Sequence, residues 1–399
     1  MIFYNPLVSK SAPSNQGQSK SAPPSSAKNS SAVRRSLWSK FPLKTGHRWL
    51  NLLLLFVPAA IVLDLLHASP LLIFIASALA IAPLASVLGE STGILAAYSG
   101  PAVGGILSAT MGNATEMIIA FFALHAGHIN VVKASLSGSI IGNLLLVLGL
   151  SLVAGGIRNP VQRFARSTSA MNSTMLMIAV AALVMPAVFN LTIFGTLQHR
   201  DVNLEHLSLW TSGVLILLYL LNLLFVFRTH RSVFQAQQHA DDGAQKTSRG
   251  QAVVSLALAT GLIAWMSEIL VGQIASVTRA LGMTELFVGV IVVALVGNAA
   301  ENSTAIIMAR RNKMDLSMAI ATGASTQIAL FVAPVLVFLS FAIGHPMTLV
   351  FNGFEIAAIV LSVLIVEMIS SDGETNWFEG AQLLAVYAIV AVAFYFVPE

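Results

Sequence analysis

The sequence predicts an all-α membrane protein of about eleven transmembrane helices, built around two inverted five-helix repeats. Three observations predict it. The composition is apolar with few charges, hydrophobic segments of spanning length follow one another, and one short polar motif occurs twice inside such segments.

The 399 residues are 56% hydrophobic and only 10% charged, with a mean hydropathy of +0.81. Soluble domains carry roughly 25% charged residues. So large a deficit leaves too little polar surface to cover a globule in water, which implies an integral membrane protein. The chain has no Cys, so neither a disulfide framework nor a thiolate metal site exists. A net charge of +4 raises the possibility of nucleic acid as a partner. The basic residues lie between apolar segments, however, so they report membrane orientation and no nucleic-acid partner is expected.

Residues 1–48 are rich in Ser, Pro, Lys and Asn and contain no Asp or Glu. They predict a disordered basic cytosolic tail, with a targeting segment as the alternative. Apolar segments follow at roughly 49–66, 69–92, 101–125, 131–154, 168–189, 207–227, 252–279, 284–308, 317–342, 348–369 and 380–397. Each approaches the ~20 residues that a span needs. The longest connection, 228–250, is polar and reads as a cytosolic linker between two halves.

Lys and Arg placement orients these spans. With the N-terminus in the cytosol, eighteen Lys and Arg fall on the cytosolic side and three, Lys133, Arg200 and Arg279, on the other. The cytosolic set includes Arg158, Arg163, Arg166, Arg310, Arg311 and Lys313.

The internal repeat is the most informative feature. Gly112-Asn113-Ala114-Thr115-Glu116 in the third segment matches Gly297-Asn298-Ala299-Ala300-Glu301 in the eighth, 185 residues later, and the offset continues through Ala134/Ala319 and Gly138/Gly323. The copies lie five segments apart, so they cross the membrane in opposite directions. Residues 67–227 form the first repeat and 251–397 the second, with 49–66 an extra helix outside both. Transporters of this design place their substrate near the midplane, where the repeats meet.

Acids inside apolar segments are costly, by about 2.5–3.5 kcal/mol even on insertion scales. Glu90, Glu116, Glu268 and Glu301 are such acids. Asn113 and Glu116 are three residues apart on a helix and share a face, as do Asn298 and Glu301. The glycine of each motif permits close helix approach or local unwinding, which frees carbonyls. Two Glu, two Asn and free carbonyls make an all-oxygen site suited to a hard cation such as Ca²⁺, with Mn²⁺ as an alternative. Ser137, Ser139 and Asn143, with Thr322, Ser325, Thr326 and Gln327, lie on the neighbouring helices and are expected to line the same cavity. Glu355 and Glu367 read as near-interface residues, and His125 and His128 as solvated loop histidines.

These residues suggest exchange. Ionised Glu116 and Glu301 bind the cation, protons displace it, and the empty charged site is too costly to carry across. A passive channel disagrees with the inverted repeat, and no HExxH motif suggests an enzyme.

The stretches GNATE (112–116), GNAAE (297–301), SGSIIGNLLLVLG (137–149), GASTQIALFVAP (323–334) and DGETNWFEG (372–380) resemble the cation/proton exchanger family of the Ca²⁺/cation antiporter superfamily. The resemblance spans about residues 50–397. It implies an eleven-helix Ca²⁺/H⁺ antiporter, with Glu116 and Glu301 as central acids, Asn113 and Asn298 as flanking ligands, and Glu90 and Glu268 as acids of the pathway. Ca²⁺ and protons would be transported substrates, with no cofactor. A Na⁺-coupled exchanger is the alternative within the superfamily. The family often has His after the second motif, where this chain has Asn302. The expected setting is a bacterial plasma membrane, with a vacuolar or other intracellular membrane second.

Overall fold

A computed structural model describes residues 48–197, 202–226 and 248–397. Apart from Arg48, the expected basic tail lies outside these residues, as does most of the expected linker. The helices are α1 (Leu50–Leu65), α2 (Pro70–Ser99), α3 (Pro101–Met111) and α4 (Ala114–His125). Next come α5 (Ile129–Gly156), α6 (Arg166–Phe194), α7 (Val202–Leu224) and α8 (Arg249–Leu281). The remainder are α9 (Glu285–Gly297), α10 (Ala299–Arg310), α11 (Met314–Ile343), α12 (Gly353–Ser370) and α13 (Trp377–Phe396).

Eight of these are long and apolar enough to cross a membrane: α2, α5, α6, α7, α8, α11, α12 and α13. The third and eighth expected segments are not single helices. Each breaks at its Gly-Asn pair, so α3 and α4 meet at 45° and α9 and α10 at 63°. Counting each bent pair as one span gives ten. The eleventh expected segment is α1, a shorter apolar helix that misses the length test. Among the described residues, eight to ten spans therefore pass, and the expected eleven is reached only if the shorter α1 also crosses.

Local chemistry sets the helix ends. Pro70 opens α2 with its φ already helical and no N–H to lose. Ser248 and Gln251 form a capping box at α8, as do Asn352 with Glu355 at α12 and Asn376 with Glu379 at α13. Gly195, Gly282 and Gly344 take the left-handed conformation that stops α6, α8 and α11.

The long helices α2 and α8 pack along one another, and the broken helices lie against them. At the centre α5 and α9 touch backbone to backbone. A Cβ on Gly138 would overlap the main chain of Val290, and one on Gly289 would overlap Ala134. Membrane helices associate through small residues in this way, because lipid provides no hydrophobic drive between them. α5 widens into a π-helical turn at Gly142–Val147, and α11 does so at Ile328–Val332. These turns occupy matching places in the two halves.

On the face that carries Arg163, a two-residue sheet pairs β1 (Gln162–Arg163) with β2 (Glu374–Thr375) in antiparallel register. The stretch 372–380 forms this clasp and the turn into α13. Gly373 has φ +80° and its carbonyl accepts from Phe164 N at 3.0 Å. Asn376 and Glu379 cap α13, and Gly380 lets α13 rest on the backbone of Gly149.

Candidate ion-binding site at the crossed helix breaks

Each motif bends its span at the same point. Asn113 and Asn298 are the N-cap residues of α4 and α10, which puts Glu116 and Glu301 in the first turns of those helices. The two breaks face each other. A Cβ on Gly297 would lie 3.0 Å from Glu116 Cγ and 3.6 Å from its Cδ. One on Gly112 would lie 3.2 Å from Glu301 Oε1. Each glutamate therefore lies over the glycine of the opposite repeat. The two carboxyl groups are close enough to act on each other electrostatically.

The asparagines tie the halves together. Asn113 donates through Nδ2 to Gln327 Oε1 of α11 at 2.6 Å. Asn298 donates to Ser139 Oγ at 2.8 Å and to Ala294 O at 3.0 Å, and it accepts from Asn143 Nδ2 at 3.4 Å. Ser139, Asn143 and Gln327, expected along the pathway, all lie on the motif asparagines. Ser325 is held differently. Its hydroxyl donates to Ala321 O in its own helix at 3.0 Å and reaches Ile140 O of α5 at 3.5 Å.

What the site lacks among its neighbours is donors. Asn113 Oδ1, Glu116 Oε2 and Glu301 Oε2 are buried and accept no hydrogen bond. An unsatisfied buried acceptor costs about 1–3 kcal/mol. Three acceptors gathered without donors are stabilised by a cation or by protons on the carboxylates. Among the described residues no group of three His, Cys, Asp or Glu is placed to hold a metal. A cation here would take two carboxylates and complete its shell with amide, carbonyl and water oxygens, which suits hard cations.

A crevice between α4, α5, α9 and α11 reaches Glu116 past Ser135 and Ser139. A second, against α13, is lined by Ser139, Asn143, Asn298, Asn302 and Tyr387. Asn302 Oδ1 is also buried without a partner. The sequence marks Asn302 only as the position where the family often has His, and Tyr387, inside the apolar helix α13, carries no signal as a wall of the site.

The remaining candidates separate from the centre. Glu268 is exposed on the outer face of α8, and Glu90 is only partly covered on α2. Glu355 is buried, accepting from Ser137 Oγ at 2.7 Å and from Asn352 N at 2.9 Å, so it fastens α12 to α5. His128 is not a free solvated histidine: its Nδ1 lies 3.1 Å from Glu285 Oε1, linking the end of the first motif span to the start of the second. His125 stacks on Phe121. Residues Gly89-Glu90-Ser91-Thr92-Gly93 spell a G-x-S-x-G string, but they lie inside α2 with Ser91 buried. A nucleophile elbow needs a sharp strand-to-helix turn with its serine exposed.

The family model for the sodium/calcium exchanger protein matches residues 69–228 and 251–396. The chain belongs to this family. Among its relatives, the Ca²⁺/H⁺ antiporter ChaA of Bacillus subtilis is 44% identical over 85% of this exchanger and 96% of that protein. A Ca²⁺/H⁺ antiporter of Aphanothece halophytica is 42% identical over 87% and 96%. The solved structure of native YfkE superimposes with a TM-score of 0.76 at 40% identity, covering 87% of this exchanger and all of that chain. The resemblance to cation/proton exchangers read from the motifs is borne out.

Proposed function

We propose that this exchanger is a Ca²⁺/H⁺ antiporter that works by alternating access, with Glu116 and Glu301 as the shared binding groups. The carrying observation is the crossed arrangement, in which each repeat supplies one carboxylate and one glycine cradle for the other. Two ionised carboxylates match one divalent cation. Two protons neutralise the same pair. Either load removes the charge that would make the empty site costly to expose to the membrane interior, and this links the two fluxes.

Asn113 Oδ1 is a direct ligand in this reading, while the contacts of Asn298 with Ser139 and Asn143 make it chiefly a fastener that keeps Glu301 in register. Glu90 and Glu268, on the paired helices α2 and α8, serve approach to the site. Names of relatives at 42–44% identity support Ca²⁺ and protons as the substrates, and the bacterial sources support a plasma membrane setting. The protein transports and does not transform its substrate.

Purified protein in liposomes with an acidic interior should accumulate Ca²⁺ against its gradient. A proton ionophore should abolish that uptake. Uptake indifferent to pH but driven by an imposed Na⁺ gradient would contradict proton coupling.

A further inference from the structure

A third crevice lies between α6 and α11, away from the crossed motifs. Its walls include Ser169 and Asn172 of α6 and Asp315 and Thr322 of α11. Asp315 is exposed at its mouth, and Thr322, two turns deeper on the same helix face, is buried. Ser169 is 93% buried, being 7% accessible, and its Oγ has no hydrogen-bond partner. An orphaned hydroxyl facing a polar crevice beside a carboxylate is half of a ligand set.

The charges around the mouth single out Asp315. This face carries Arg163, Arg166, Arg310, Arg311 and Lys313, and the acids of the 372–380 loop each have a neighbour to hold them. Glu374 pairs with Arg163 at 3.0 Å, Glu379 accepts from Thr375 Oγ1 and Asn376 N, and Asp372 Oδ1 accepts from Glu374 N. Asp315 Oδ1 accepts from Ala165 N, which leaves its second oxygen available. A cation approaching this face meets positive charge, and Asp315 is the acid that lines an opening. The opening reaches Thr322 on α11. Gln327, the partner of Asn113, is twelve residues further along α11, about 18 Å at 1.5 Å per residue.

We propose that Asp315, Ser169, Asn172 and Thr322 form a cytosolic access site that collects a hydrated divalent cation before it moves along α11 to the paired glutamates. All four offer oxygen, and a hydrated ion needs few direct ligands from the protein. The site is a loading station and leaves the exchange chemistry to Glu116 and Glu301. It rests on the antiport reading above.

The test is Ca²⁺ uptake into everted membrane vesicles, which present the cytosolic face, compared with right-side-out vesicles. Asp315→Asn keeps an oxygen to accept from Ala165 N but removes the charge. Ser169→Ala removes only the orphaned hydroxyl. The expected result is a rise of about three- to tenfold in the half-saturating Ca²⁺ concentration for Asp315→Asn, confined to the cytosolic face, with the maximal rate retained. Ser169→Ala should give a smaller rise of the same kind. Unchanged half-saturation would overturn the proposal, as would an equal change from both faces, which is what a purely structural role produces. Wild-type vesicles that exchange no Ca²⁺ for protons would overturn the antiport reading and this inference with it.

Discussion

The side chain of Glu116 lies against the backbone of Gly297, so close that a single methyl group there would come 3.0 Å from its Cγ. Gly112 stands in the same relation to Glu301. Glycine in these motifs therefore does two things. It lets the span break, and it leaves the space that the opposite repeat's carboxylate occupies.

Substituting that glycine should stop transport without unfolding the protein. Gly297→Ala forces Glu116 aside at a cost of about 1–3 kcal/mol, typical of overpacking. Exchange is expected to fall at least tenfold while detergent-solubilised protein keeps a melting temperature within a few degrees of wild type. Gly272 has open space around its Cα, and Gly272→Ala should leave both readings unchanged.

Gln327 should matter through the direction in which it holds Asn113. Accepting from Nδ2 at 2.6 Å turns Oδ1 away, buried and unpaired. Gln327→Ala removes that restraint, worth about 1–1.5 kcal/mol, and should raise the half-saturating Ca²⁺ concentration about tenfold. Gln327→Glu keeps an acceptor for Nδ2 and should recover most of the loss. Radioactive Ca²⁺ uptake across a concentration series separates the two.

Protons and Ca²⁺ should compete with a definite sign. Carboxylates must be ionised to hold the cation, so affinity falls as pH falls at the face where Ca²⁺ loads. If both glutamates shed a proton for each ion bound, half-saturation rises by up to about a hundredfold per pH unit in the acidic limit. Initial rates at fixed internal pH and varied external pH measure it. A site that ignores external pH would speak against shared carboxylates.

The clasp at 372–380 should prove structural. Its Arg163–Glu374 pair is largely exposed on both sides, and such pairs contribute little, so Arg163→Ala should leave exchange and thermal stability nearly unchanged. Gly380→Leu is different, because any Cβ there collides with the Gly149 carbonyl and Leu152. Thermal unfolding in detergent should show a loss of several degrees for this variant.

Much of this could be read in advance because membrane solvation is so restrictive. Acids inside apolar segments had to face a ligand or water, and the repeated motif placed two of them at equivalent depth. Glu268 lies apart from the central pair, exposed on α8: periodicity locates a residue along a helix but not the direction it faces when neighbouring helices decide that. The repeat also suggested more symmetry than exists. Gly138 is pressed onto Val290, whereas its counterpart Gly323 has open space, and Asn143 and Gln327, which each bind the motif asparagine of the opposite repeat, are one place out of register at the 185-residue offset. The π-helical turns left no mark in the residue pattern, since any apolar run accommodates one. The helix breaks were foreshadowed by glycine, but a bend of 45° or 63° depends on what packs against it.

The central claim is that two glutamates from opposite repeats carry the ion together. Its most direct measurement is proton-driven Ca²⁺ uptake by Glu116→Gln and Glu301→Gln, each in liposomes beside the wild type. Both variants should fold and both should lose uphill uptake, since either one leaves a single carboxylate facing a divalent cation. Robust uphill uptake by either variant would contradict the paired site.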